Sequence, residues 1–212
     1  MPRRVLIVGG APLLTVDAVR FLSVRATGDT AVRLAEVLAG EGVACDLLLG
    51  VLARPEVPAE RYRERADLES ALARWLAANP DGVVVMSAAI NDYQVAGVAS
   101  RRSDVVSDHA PGAKVPSGAD EVVIRLRPAD KVIDRLRGWG HRGPLVGFKF
   151  EAAATVVASA AALRARTGAA LVVANSLCGS VQTLVEDRVT AFSDRAALLA
   201  ALAGRIRDLA RD

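Results

Sequence analysis

The 212 residues are 52% hydrophobic, enough apolar content for one sizeable core, and the length suits a single domain. The 27 basic and 24 acidic residues leave a formal charge of +3 that is scattered rather than gathered in a tail or stripe, which argues against nucleic acid as a partner. Arginine supplies nearly all of the positive charge, since Lys114, Lys131 and Lys149 are the three lysines.

Val5 through Val8 is a continuous apolar run, the pattern of a strand buried on both faces of a parallel sheet. It stops at Gly9 and Gly10, too short for a secretory core segment or a membrane span. The two glycines permit a tight turn and a close approach of backbone to a ligand, but they form no GxGxxG fingerprint, and a turn without a ligand reads equally well. Residues 19–28 lead into a helix at about 30–38, so their N–H groups can face an anion. Asp29 puts a negative charge at that helix start and reads more simply as a cap.

A strand is predicted at 44–49, then an amphipathic helix carrying Leu68, Leu72, Trp75 and Leu76 and ending at Asn79-Pro80. The next buried strand covers 82–87. Small residues Ala88 and Ala89 follow it and allow a ligand to lie against the backbone, with Asp92 available to accept hydrogen bonds from a base or sugar, or simply to cap a turn. Residues 94–120 lose periodicity and read as a long loop holding Lys114, whose ammonium can close over a triphosphate. Beyond it the pattern predicts a strand at 121–126, a helix beginning at Pro128, a strand at 145–150, an Ala-rich helix to about Arg166, strands at 170–174 and 189–192, and a closing helix at 196–209.

This alternation implies one α/β domain over 1–212, Rossmann-like, with a mostly parallel sheet flanked by helices. Ligands of such sheets sit beyond the carboxyl ends of the strands, so the loops after Val8, Ser87, Phe150 and Ala174 should converge on the site. At most one of the rings of Phe148 and Phe150 is expected to meet a ligand, Phe148 by stacking, while Phe150 packs in the core. Asn175 at a strand end can orient a ligand or serve a turn. His109 and His141 have neither metal-ligand spacing nor a nucleophile partner and receive no role, and no metal site is predicted. Cys45 and Cys178 lack CxxC spacing and fall in or beside apolar segments that read as core, which fits a reducing cytoplasm.

In order and spacing, VLIVGG at 5–10, VRFLS at 19–23, MSAAINDY at 86–93, Lys114-Val115, PADKVID at 128–134, VGFKFE at 146–151 and VVANSL at 172–177 resemble the phosphopantothenate-cysteine ligase family, over almost the full length. The resemblance implies activation of a carboxylate by CTP or ATP with Mg2+, attack of an amine (cysteine in the family) on the acyl-nucleotide, and a homodimer. It further implies that Gly9, Gly10, Met86, Ser87, Ala88, Asp92, Pro128, Ala129, Asp130, Lys131 and Phe148 hold the nucleotide, that Lys114 stabilises charge on the activated phosphate, and that Val24, Ala26, Thr27, Gly28, Ala89 and Asn175 face the acid. Val24 and Asp29 stand where the family has an asparagine and a lysine, and the family's two lysines near the triphosphate fall at about Leu163 and Thr167, beside Arg164 and Arg166. The two leading readings are therefore a ligase, for the family acid or another one, and a degenerate nucleotide-binding homologue without turnover. A nucleotide-sugar or NAD-type enzyme would share the architecture alone, since the glycine fingerprint and a Tyr-x-x-x-Lys pair are missing.

Overall fold

The computed structural model describes residues 2–211. Its centre is an eight-stranded sheet in the order β13, β12, β11, β10, β6, β1, β4, β5. The strands are β1 (Val5–Gly9), β4 (Cys45–Gly50), β5 (Glu60–Tyr62), β6 (Val83–Met86), β10 (Leu145–Glu151), β11 (Leu171–Ser176), β12 (Gln182–Val185) and β13 (Val189–Ala191). From β11 to β5 every neighbour is parallel, while β12 and β13 add an antiparallel edge. All five residues of β1 are buried because both faces are covered, which is why the run shows no polar alternation.

Helices α1 (Asp29–Gly40) and α5 (Arg195–Arg211) cover the face that carries Val5, Ile7, Val85 and Val173. Helices α2 (Arg65–Ala78), α3 (Val132–Arg135) and α4 (Val156–Thr167) cover the other, with Leu6, Val8, Val84 and Val172. The chain leaves β1 for β4 on one side and returns through β6 on the other, so strand order reverses between β1 and β6, the place where open parallel sheets make a crevice for ligands. Gly9 and Gly10 shape that crevice. A Cβ on Gly9 would lie 2.4 Å from the Cβ of Ala31 in α1, and Gly10 turns the chain at φ 80°.

Residues 94–120 are not one loop. β7 (Tyr93–Arg102) and β8 (Val105–His109) form a hairpin, and β7 also pairs with β9 (Glu121–Pro128), giving a separate three-stranded antiparallel sheet. Among these residues Val98 and Ala99 are buried, but Val105, Val106, Val122 and Val123 are exposed, so apolar side chains lie on both faces and the alternation that signals a half-buried strand is lost. The helix expected at Pro128 is a second correction. Pro128 ends β9 opposite Tyr93, and α3 is a single turn that starts at Val132. Two short strands, β2 (Leu13–Thr15) and β3 (Phe21–Ser23), make a further ribbon ahead of α1. No helix among the described residues is long and apolar enough to cross a membrane.

Candidate functional site

Two cavities open side by side at the carboxyl ends of the central strands. The first, about 370 Å³, is bounded by Met86, Ser87, Ala88, Asn91 and Asp92 after β6, by Asp130 to Ile133 leading into α3, by Phe148 to Glu151 at the end of β10, and by Leu163 and Arg166 of α4. The second, about 390 Å³, lies over the start of α1 and is bounded by Gly10, Arg25 to Ala31, Asn175 to Leu177, Gln182 and Arg195. Ser87, Ala89, Phe148 and Phe150 line both and form their common wall.

The first cavity therefore gathers Met86, Ser87, Ala88, Asp92, Asp130, Lys131 and Phe148, and also Val24. The second gathers Gly10, Ala26, Thr27, Gly28, Ala89 and Asn175. Gly9, Pro128 and Ala129 line neither. The carbonyl of Gly9 accepts a hydrogen bond from the Tyr62 hydroxyl at 2.8 Å, and Ala129 N–H donates to the Asp92 carbonyl at 2.8 Å, so these residues shape the walls from behind. Lys114 is exposed and lines neither cavity. Its neighbour Val115 is buried, and Val115 N–H donates to the Asp17 carboxylate at 3.1 Å, which ties this segment to the turn before β3.

Both rings at the end of β10 face the site. Phe148 and Phe150 are two residues apart on a strand and share a face, so the expectation that only one could meet a ligand is corrected. Phe150 is 66% exposed rather than in the core, because the strand runs past its helical cover, whereas Phe148 packs partly against the core. Lys149 and Glu151 take the opposite face and pair at 2.9 Å inside the first cavity. Lys131 pairs with Asp92 at 2.8 Å, and Arg166 pairs with Asp134. Hydrogen bonds from Ser159 and Lys149 hold the Glu151 carboxyl below its ordinary range. Lys149, Phe150 and Glu151 fall within VGFKFE without having been assigned a ligand role, whereas Arg195 lies outside every motif of the sequence.

Asp29 does not cap α1. Gly28, at φ 78°, is the N-cap residue, and the Asp29 carboxylate accepts a hydrogen bond from Arg54 at 3.0 Å, which lowers its pKa. Asn175 lies on β11 opposite Gln182, and its side-chain oxygen is buried without a hydrogen bond. Cys178 is exposed just beyond Asn175 and is not a core residue. Hydrogen bonds with the hydroxyls of Ser176 and Ser180 bring its thiol down to about 7. His141 is buried against the Gly82 carbonyl at 2.9 Å, and His109 meets Ser100 at 2.8 Å, both away from the two cavities.

The model of the DNA/pantothenate metabolism flavoprotein C-terminal domain matches residues 1–199. The chain belongs to this family. Among curated relatives, the coenzyme A biosynthesis bifunctional protein CoaBC of Thermococcus kodakarensis is 28% identical over 183 residues, which cover 82% of this chain and 41% of that protein. A cysteine/cysteine sulfinic acid decarboxylase from an unknown prokaryote is 27% identical, covering 82% and 46%. The chain thus spans less than half the length of these relatives. A DNA/pantothenate metabolism flavoprotein of Streptococcus pneumoniae superposes with a TM-score of 0.78 at 18% identity, covering 97% of each chain. The C-terminal domain of a CoaBC protein gives 0.70 at 21%, covering 97% of this chain and 92% of that one. A Cab2 mutant in complex with phosphopantothenate-cysteine gives 0.75 at 14%, covering 97% and 86%. At these identities the superpositions speak for the fold, a Rossmann-like layering of helices on a mostly parallel sheet.

Proposed function

We propose that the chain is a nucleotide-dependent carbon-nitrogen ligase of the phosphopantothenate-cysteine ligase kind, acting in coenzyme A biosynthesis in the cytoplasm as a homodimer. The observation that carries this reading is the common wall of the two cavities. A nucleotide in the first and a carboxylic acid in the second would meet across Ser87, Ala89, Phe148 and Phe150, as a reaction that joins them requires. Membership of the family and the likeness to a fold that binds phosphopantothenate-cysteine in Cab2 support the choice of substrates.

In this reading Phe148 and Phe150 flank the base, the small residues Ala88 and Ala89 let the sugar lie on the backbone, and Asp92, held by Lys131, accepts hydrogen bonds from base or ribose. A carboxylate oxygen of the acid attacks the α-phosphorus of CTP or ATP and pyrophosphate leaves. The cysteine amine then attacks the acyl carbon, the amide forms and the nucleoside monophosphate departs. Lys149 and Arg166 line the first cavity and can exchange their carboxylate partners for phosphate oxygens, while Lys114 would have to be carried to the site by its segment. Among the described residues no group of three or more His, Cys, Asp or Glu is placed to hold a metal ion. Mg2+ would be bound through nucleotide phosphates with one or two protein carboxylates, for which Asp130 in the first cavity is available, and the ion would neutralise phosphate charge.

A second reading, a nucleotide-binding homologue without turnover, is favoured by Val24, which puts an apolar side chain in the first cavity where the family has an amide. Calorimetric titration with CTP and with ATP, each with magnesium, followed by pyrophosphate release on adding 4′-phosphopantothenate and then cysteine, separates the two. Acid-dependent release establishes the ligase. Binding without release removes the family acid as substrate and leaves a ligase for a different acid or the second reading, and no binding of either nucleotide removes both.

A further inference from the structure

The two cavities differ in charge. In the first, each cation is matched: Lys131 by Asp92, Lys149 by Glu151 and Arg166 by Asp134. The second is lined by Arg25 and Arg195 against one carboxylate, Asp29. That carboxylate is already paired with Arg54, which lies outside the lining, at 3.0 Å. Arg54 is set in place by the loop after β4, where the Arg61 guanidinium donates to the carbonyls of Gly50, Ala53, Arg54 and Val57, and Arg54 itself adopts a left-handed φ of 42°. The carboxylate at the helix start therefore subtracts little from the field of the two arginines.

Arg195 opens α5, far along the chain from α1, yet its Nη2 donates to the Thr30 hydroxyl at the start of α1. The same cavity wall offers the hydroxyls of Thr27 and Thr30. Two guanidiniums with adjacent hydroxyls suit a tetrahedral dianion, because each planar fork can give two parallel N–H···O bonds. We infer that Arg195, assisted by Arg25, is the specificity-determining residue that holds a phosphate monoester at the end of the acid remote from its reacting carboxylate. The identity of the ligand as an acid substrate rests on the ligase reading, whereas the recognition of a dianion rests on this cavity.

Phosphorus-31 NMR titration with inorganic phosphate tests the dianion site without catalysis, on the wild type, Arg195→Ala, Arg195→Lys and the control Arg74→Ala, which alters a surface pair with Glu60 away from both cavities. Arg195→Ala should weaken phosphate about tenfold or more. Arg195→Lys should fall between, keeping the charge without the fork, and Arg74→Ala should match the wild type. Wild-type affinity in Arg195→Ala, or no saturable binding to the wild type, overturns the inference. Steady-state kinetics of nucleotide-dependent amide formation should show a raised KM for the phosphorylated acid in Arg195→Ala, with kcat and the nucleotide KM unchanged. An active wild type whose acid KM ignores Arg195→Ala removes the inference and leaves the ligase reading standing. Arg195-dependent phosphate binding in a protein that releases no pyrophosphate does the reverse.

Discussion

Asp17 is 3% exposed yet held as a carboxylate, because every direction from which it could lose charge is occupied by a donor. One oxygen accepts Val19 N–H and Arg20 N–H, each at 2.8 Å, and the other accepts the Arg20 guanidinium at 2.6 Å and Val115 N–H at 3.1 Å. Those bonds, led by the one from Val19, bring its pKa from 3.8 to about 2. A group depressed in this way stabilises the fold fully above its unfolded pKa and loses that contribution as the pH falls through the folded value. Asp17→Asn sets an amide NH2 against two donors, so its melting temperature at pH 7 should fall below the wild type's, with the gap closing between pH 3.8 and about 2. A gap that persists unchanged at low pH would mean that Asp17 acts by shape alone. Lys114, one residue before Val115, is exposed, so Lys114→Ala should leave the melt within about 0.5 kcal/mol of the wild type. If it serves the activated phosphate, triphosphate-dependent turnover should fall far more than stability, and equal losses would remove it from the site. At this scale Asp92, Lys131 and Phe148 were legible because motif order marks them. Arg195 was not, since nothing in local spacing says that α5 starts beside α1.

Among the elements, β1 and α1 meet through a glycine. Gly9→Ala would press a methyl group to 2.4 Å from the Ala31 Cβ, and overpacking of this kind costs about 1–3 kcal/mol, readable as a lower urea midpoint. An unchanged midpoint would show that α1 can shift outward without loss. Most strands and helices of the central layer, though not β5, β12 or the true start of α3, were legible since burial on both faces leaves runs such as Val83–Met86 and apolar stripes such as Leu68, Leu72 and Leu76. β7 and β8 were hidden by their exposure: with Val105 and Val106 both turned to solvent in part, composition favours a loop, and pairing with β9 is settled by contacts across the chain.

For the whole molecule, the ribbon of β2 and β3 and the three-stranded sheet present Val19, Phe21, Val122 and Val123 to solvent beside a cavity of about 660 Å³. Exposed apolar area of this kind supports the homodimer that the family resemblance implies. Sedimentation should find a dimer, and Phe21→Asp should shift it towards monomer. A wild type that sediments as a monomer at every concentration would remove the homodimer. By itself the sequence determined the α/β class, six of the eight strands of the central sheet (all but β5 and β12) and most of the segments that border the two cavities, because buried periodicity and motif order can be read along the chain. Only the tertiary structure decided that the border segments make two cavities rather than one, that Arg54 neutralises Asp29, and that Arg195 joins the start of α1, because charge compensation depends on distances between residues that no local pattern links.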